Sequence, residues 1–256
     1  MEFFKYQGAG NDFILVDFRN ESKELSREII EKLCDRRFGI GADGFMILKS
    51  HSDFDFEMIY YNSDGRESTM CGNGGRCIVQ YAKDQGIISD HTQFIFKDQV
   101  YRASLFEKYV SLHIQNVDTY SKLSDDSCFV NTGSPHHVEF RETLSGVDVI
   151  NEGKAIRNSY GKEGSNVNFV SKKSEDTFEI LTYERGVEAE TLACGTGITA
   201  AALSAHILSK SSATTLYFNA KGGRLSVVFT SDSNGYTQIQ LNGPATFVFK
   251  GQIKLS

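Results

Sequence analysis

Apolar positions along the chain alternate over short runs far more often than they recur at helical spacing. FEMIYYN (56–62), QFIFKD (93–98), YVSLHIQ (109–115), FEILTYE (178–184), RLSVVF (224–229) and ATFVFKGQIKL (245–255) are rich in aromatic and β-branched residues and read as strands. Helical spacing is rarer. In REIIEKLCD, Ile29, Ile30, Leu33 and Cys34 share one face, and Ser26 is placed to cap the first turn. Two more helices are predicted to begin at glycine-cysteine turns. One follows MCGNGGRC (70–77) and ends near Gly86, a residue suited to a left-handed cap. The other lies in LACGTGITAAALSA (192–205), whose alanines are the best helix formers.

The two halves of the chain repeat one another. FEMIYYN leads to Cys71 and FEILTYE leads to Cys194 at an interval only one residue longer, so each half reads as strand, polar turn, Cys-Gly-x-Gly and helix. A weaker echo sets Gly10-Asn11-Asp12-Phe13 against Gly133-Ser134-Pro135-His136. Solenoid repeats are several times shorter, so a period this long implies a duplicated domain. Strand spacing puts the boundary near 116–118, and with only two prolines no linker stands out.

Composition narrows the class. The chain has 256 residues, 40% hydrophobic and 23% charged, as ordinary globular proteins do. A net charge of −6 argues against a nucleic-acid partner, which requires clustered positive charge. No run approaches the roughly 20 apolar residues that span a bilayer, and the acidic, glycine-interrupted start is unlike a signal peptide. Five cysteines at irregular spacing do not make a disulfide framework. A cytoplasmic protein with reduced thiols and no membrane partner is expected.

The paired turns carry the chemistry. A cysteine at the mouth of a helix faces unpaired backbone N–H groups and the positive end of the macrodipole, which favour its thiolate. Glycines beside it leave N–H donors free for a carboxylate. Inverting a carbon that bears a hydrogen requires taking a proton from one face and returning one to the other. A thiolate and a thiol can do both without a cofactor. Cys34, Cys77 and Cys128 read instead as buried structural residues. No metal site is expected, because neither C-x₂-C spacing nor a nearby histidine accompanies the cysteines. Gly39-Ile40-Gly41-Ala42-Asp43-Gly44 matches G-x-G-x-x-G literally, but a helix precedes it and a strand follows, the reverse of the dinucleotide-binding order.

The chain resembles the diaminopimelate epimerase family from end to end. The likeness lies in KYQGAGNDF (5–13), YNSDG (61–65), CGNGGRC (71–77), GSPHHV (133–138), GSNVNF (164–169), YERGVEAETLACGTG (183–197), GGRLSV (222–227) and LNGPATFVFKG (241–251). Asn73 separates it from proline racemase-like enzymes, which carry CGHG, and the cysteine pair separates it from PhzF-like isomerases. The resemblance implies an α/β (α+β) fold of two pseudo-symmetric domains, each a mostly antiparallel sheet wrapped around a central helix. It places the active site in the cleft between them and returns the last strand to the first domain, giving 1–117 plus 245–256 and 118–244. It further implies a pyridoxal-phosphate-independent isomerase interconverting LL- and meso-diaminopimelate in lysine biosynthesis, with no cofactor.

On the same likeness, Cys71 and Cys194 are the acid–base pair, tuned by His136 and Glu184. Gly72, Asn73, Gly195 and Thr196 hold the reacting carboxylate. Asn11, Asn62, Ser134, Asn166, Glu184 and Arg185 hold the remaining amino and carboxylate groups. Plainer roles compete: a packed histidine at 136, a surface ion pair at Arg185, turn-holding at Asn62 and Asn166. Ser134 stands where many members have Asn, and Gly44 where many have Gln, so Gly44 receives no substrate role. A noncatalytic amino-acid-binding protein and a racemase for a single-ended amino acid are the competing functions. A homodimer is left open. Two converging thiols are also expected to approach disulfide distance when the site is empty.

Overall fold

The same order of strand pairing occurs twice along the backbone. The computed structural model describes residues 1–233 and 235–255. The chain divides into one unit of Met1–Leu112 with Gly243–Ser256 and another of His113–Asn242.

The first unit contains β1 (Glu2–Gly8), β2 (Asn11–Asp17), α1 (Arg27–Cys34), β3 (Gly44–Lys49), β4 (Phe56–Asn62), α2 (Gly72–Asp84), β5 (His91–Phe96), β6 (Gln99–Phe106) and β7 (Tyr109–His113). Strands β2 and β3 are parallel neighbours, as are β4 and β5. Parallel pairing demands a crossover, and α1 and α2 lie within those two connections. The remaining pairs β1–β2, β3–β4, β5–β6 and β6–β7 are antiparallel.

The second unit contains β8 (Tyr120–Lys122), β9 (Ser127–Asn131), β10 (Pro135–Phe140), α3 (Val149–Ser159), β11 (Asn166–Lys172), β12 (Thr177–Glu184), β13 (Ala189–Thr191), α4 (Gly195–Ile207), β14 (Thr215–Ala220), β15 (Gly223–Asp232) and β16 (Gly235–Gly243). Here β10 and β11 run parallel across α3, and β12 and β14 across α4. The final strand, β17 (Thr246–Gln252), belongs to the first unit and pairs antiparallel with β1. The result is a mixed α/β fold, mostly sheet, with four helices among the described residues.

In each unit one helix is enclosed. Strands β1, β2, β6 and β17 pack on α2, and β9, β10, β11 and β15 pack on α4. Ile78, Val79, Tyr81 and Ala82 of α2 are buried, as are Ile198, Leu203 and four alanines of α4. A helix apolar all round is stable only inside a core. Burying each large aliphatic side chain is worth about 1.5–3 kcal/mol. Both helices end in the same Schellman turn. Gly86 (φ 69°) donates to Lys83 O, while Ile87 N donates to Ala82 O. Ser209 (φ 55°) donates to His206 O, while Lys210 N donates to Ala205 O.

Helix α1 begins where expected, with Ser26 Oγ accepting from Ile29 N. Helix α3 was not anticipated from sequence. Only Val149 and Gly153 in it are buried, and the central glycine weakens its apolar pattern. Its signal was the repeat, since α3 links β10 to β11 as α1 links β2 to β3.

Candidate active site

Cys71 and Cys194 occupy the same structural position in their units. Each is the N-cap of the enclosed helix, with extended backbone (φ −107° and −111°), and each is partly exposed. Their carbonyls accept the first helical bonds, from Gly75 N at 2.8 Å and Ile198 N at 2.9 Å. In each unit the first-turn amides, which lack intrahelical partners, therefore start beside the capping cysteine. None of the five cysteines is joined in a disulfide. Burial pushes the Cys34 thiol up to about 12 and raises Cys77 and Cys128 as well, so these three are inert fillers.

The second glycine of each Cys-Gly-x-Gly has a packing reason. A Cβ on Gly74 would lie 2.2 Å from Met46 Cε, and one on Gly197 would lie 2.4 Å from Asn168 Oδ1. The helix mouth sits directly on β3 in the first unit and on β11 in the second.

Around Cys194 the predicted residues form one network. Thr196 Oγ1 lies 3.4 Å from Cys194 Sγ and 3.0 Å from His136 Nε2, which is also 3.0 Å from Ser134 Oγ. Asn166 Nδ2 donates to Ser134 Oγ and Pro135 O, while its Oδ1 accepts from Arg185 N at 2.9 Å. That amide is engaged with the chain itself and fixes the turn that carries Glu184, the last residue of β12. The Arg185 guanidinium donates to Glu163 O.

His136 is fully buried and reaches Cys194 through Thr196. Burial, reinforced by the positive charge of Arg185, pulls its pKa down to about 3, so the ring is neutral at physiological pH. Its tautomer follows from Asn168, a residue the sequence reading missed. Asn168 Nδ2 donates to His137 O, and Thr182 Oγ1 donates to Asn168 Oδ1, which orients the amide. Its nitrogen therefore also faces His136 Nδ1 at 3.1 Å, leaving the ring proton on Nε2, toward Thr196 and Ser134. Aligning the repeats would have revealed Asn168, because it opposes Val138 where its counterpart Met46 opposes Leu15.

Around Cys71 the set is different. Asn73 is buried and its Nδ2 donates to Asn11 Oδ1 at 3.2 Å, while Asn11 Nδ2 donates to Asp43 Oδ2. Asp43 and Asp12 share Arg36, and Lys5 pairs with Asp12 at 2.8 Å. Burial raises the Asp12 pKa, but bonds from Arg36 and Lys5 outweigh it and hold the carboxyl well below its usual range. Beneath Asn73 lies Arg76, wholly buried and also missed from sequence. Asn62 ends β4 in an exposed turn, opposite Gly44 in the β3–β4 register. A Cβ on Gly44 would meet Tyr60 Cε2 at 2.5 Å, so no side chain fits there.

The chain matches the family model described as diaminopimelate epimerase over residues 3–97 and 128–248. It is 49% identical to the diaminopimelate epimerase of Flavobacterium psychrophilum, covering 99% of this chain and 100% of that protein. Identity to the diaminopimelate epimerase of Chlorobaculum tepidum is 40%, over 97% and 99% of the two chains. In fold it is similar to a PhzF-family phenazine biosynthesis protein from Bacillus anthracis, with a TM-score of 0.80 at 14% identity over 100% and 99% of the chains. A probable proline racemase from Agrobacterium radiobacter aligns at a TM-score of 0.68 and 13% identity, over 100% and 93%.

Proposed function

The chain belongs to the diaminopimelate epimerase family, and from that premise we propose that it interconverts LL- and meso-2,6-diaminopimelate by proton transfer between two cysteines and one α-carbon. The observation that carries this reading is the matched placement of Cys71 and Cys194, each at the N-terminus of an enclosed helix. A thiolate takes the α-proton and becomes a thiol. The opposite thiol gives its proton to the other face and becomes a thiolate. The carbanion between these steps is stabilised through its carboxylate by the N–H groups at Gly72–Asn73 and Gly195–Thr196.

Asn11, Asn62, Ser134, Asn166, Glu184 and Arg185 place the rest of the substrate, whose two amino-acid ends need ammonium acceptors and a guanidinium fork. His136 acts as a neutral donor through Thr196, and Glu184 accepts a hydrogen bond from the substrate ammonium. The reaction needs no organic cofactor, because the reacting carbon is already acidified by its carboxylate cradle. Among the described residues no helix is long and apolar enough to cross a membrane. We place the enzyme in the cytoplasm, where thiols remain reduced.

The decisive experiment incubates the protein with LL-diaminopimelate in deuterium oxide under reducing conditions. Deuterium should enter the α-position as the meso form accumulates. Binding without exchange would replace this reading with a noncatalytic amino-acid-binding protein. Disulfide formation between the two catalytic thiols should abolish turnover, and reductant should restore it; indifference to both would count against a shared carbon.

A further inference from the structure

Arg76 is the largest fully buried side chain of the protein and is 0% exposed. Its donors reach neutral oxygens: Gly72 O at 3.1 Å, Asn73 Oδ1 at 2.9 Å and Pro244 O at 3.4 Å. Among the described residues no carboxylate pairs with it. A buried cation without a counter-ion is costly, and guanidinium does not relieve that cost by losing its proton.

The nearby charges do not supply one. Asp12 on β2 and Asp43 are matched by Lys5 on β1 and by Arg36. Cys77, next to Arg76 on α2, is held as a neutral thiol by complete burial. What remains is Cys71, the cap of the same helix. Two of Arg76's acceptors belong to the residues that immediately follow Cys71.

The second unit serves as an internal control. Thr199 stands where Arg76 stands, and Thr199 Oγ1 bonds Gly195 O at 3.1 Å as the guanidinium bonds Gly72 O. The carbonyl is satisfied in the same way, but without a charge. The group linked to Cys194 through Thr196 is the neutral His136, and Arg185, the cation whose charge reaches that ring, is adjacent in sequence to the acidic Glu184.

We infer that Arg76 is a positioning residue whose buried charge holds Cys71 as the thiolate of the resting enzyme, leaving Cys194 as the protonated partner. The two halves of the site are thus alike in backbone and unlike in charge. Before substrate binds, the enzyme is set to remove a proton at Cys71 and deliver one from Cys194. The inference rests on the reading of these cysteines as an acid–base pair.

The test is site-resolved alkylation by iodoacetamide from pH 5 to 9, without substrate, quantified by mass spectrometry. In the unaltered protein, Cys71 should reach half-maximal rate at least about one pH unit below Cys194, the shift expected of one nearby opposite charge. Arg76→Gln should move the Cys71 midpoint upward and leave Cys194 in place, and Arg76→Lys should preserve the gap. Coincident midpoints in the unaltered protein, or a lower one at Cys194, would overturn the inference even if Arg76→Gln does not fold. Equal displacement of both midpoints by Arg76→Gln would reduce Arg76 to a packing residue. Failure of the epimerase reading would show instead as absent deuterium exchange, whatever the alkylation profile.

Discussion

The mouth of α2 rests on Phe13 and Met46, and the mouth of α4 on His136 and Asn168. Beneath the first lies a buried cation; beneath the second, a neutral hydroxyl bonds the same carbonyl. The backbone repeats because strand–helix–strand pairing and a glycine at the close approach are all that the geometry requires. The side chains do not repeat, and under the proposed two-thiol reaction that difference sets one cysteine as thiolate and the other as thiol. Duplication has kept the cradle and differentiated its floor.

The largest test of that comparison removes the thiols. Cys71→Ala or Cys194→Ala should each lower epimerisation by about a thousand-fold or more, within the range for lost acid–base groups. Substantial activity in both single variants would end the two-thiol mechanism.

Glycine replacements probe the floors beneath the helices. Gly197→Ala would push a Cβ onto Asn168 Oδ1 and break its bond with Thr182. It should cost about 2–3 kcal/mol in denaturant unfolding. Gly74→Ala meets the flexible end of Met46 and should cost less. Equal losses would contradict the contrast drawn here.

The polar floor also leaves a signature in pH dependence. His136 binds a proton in the unfolded chain near its ordinary pKa of 6.5 but in the folded protein only near 3. As pH falls between those values the unfolded state takes up more protons, so stability is lost on acidification. The expected slope between pH 6 and 5 is about 1 kcal/mol per unit. His136→Gln should flatten it, with a residue left by His137, whose pKa burial also lowers. An unchanged slope would mean that the ring is not buried neutral.

The smallest effect concerns the helix ends. Ser209 holds a left-handed conformation that Gly86 adopts freely. Ser209→Gly should therefore stabilise by about 1 kcal/mol in thermal unfolding. A loss of stability would show that the Ser209 side chain contributes something the backbone does not reveal.

Sequence alone identified the strands at 56–62 and 178–184, the second beginning one residue earlier in the structure, the caps at Ser26, Cys71 and Cys194, and the turn at Gly86. These depend on local periodicity and terminal hydrogen bonding, which neighbouring residues decide. The cysteine and glycine positions of the two turns were legible for the same reason, whereas Thr196 entered only through the family resemblance. Helix α3 was not, because its apolar face is narrow and its stability comes from β11 and β12, on which it packs. Nor were Asn168 and Arg76. A polar residue within NVNFV and an arginine in GGRC acquire meaning only when folding buries them under a helix mouth and fixes their partners. The chain order specified that two cysteines would sit at helix mouths. Burial determined their surroundings, because removing a polar group from water makes its few remaining contacts decisive.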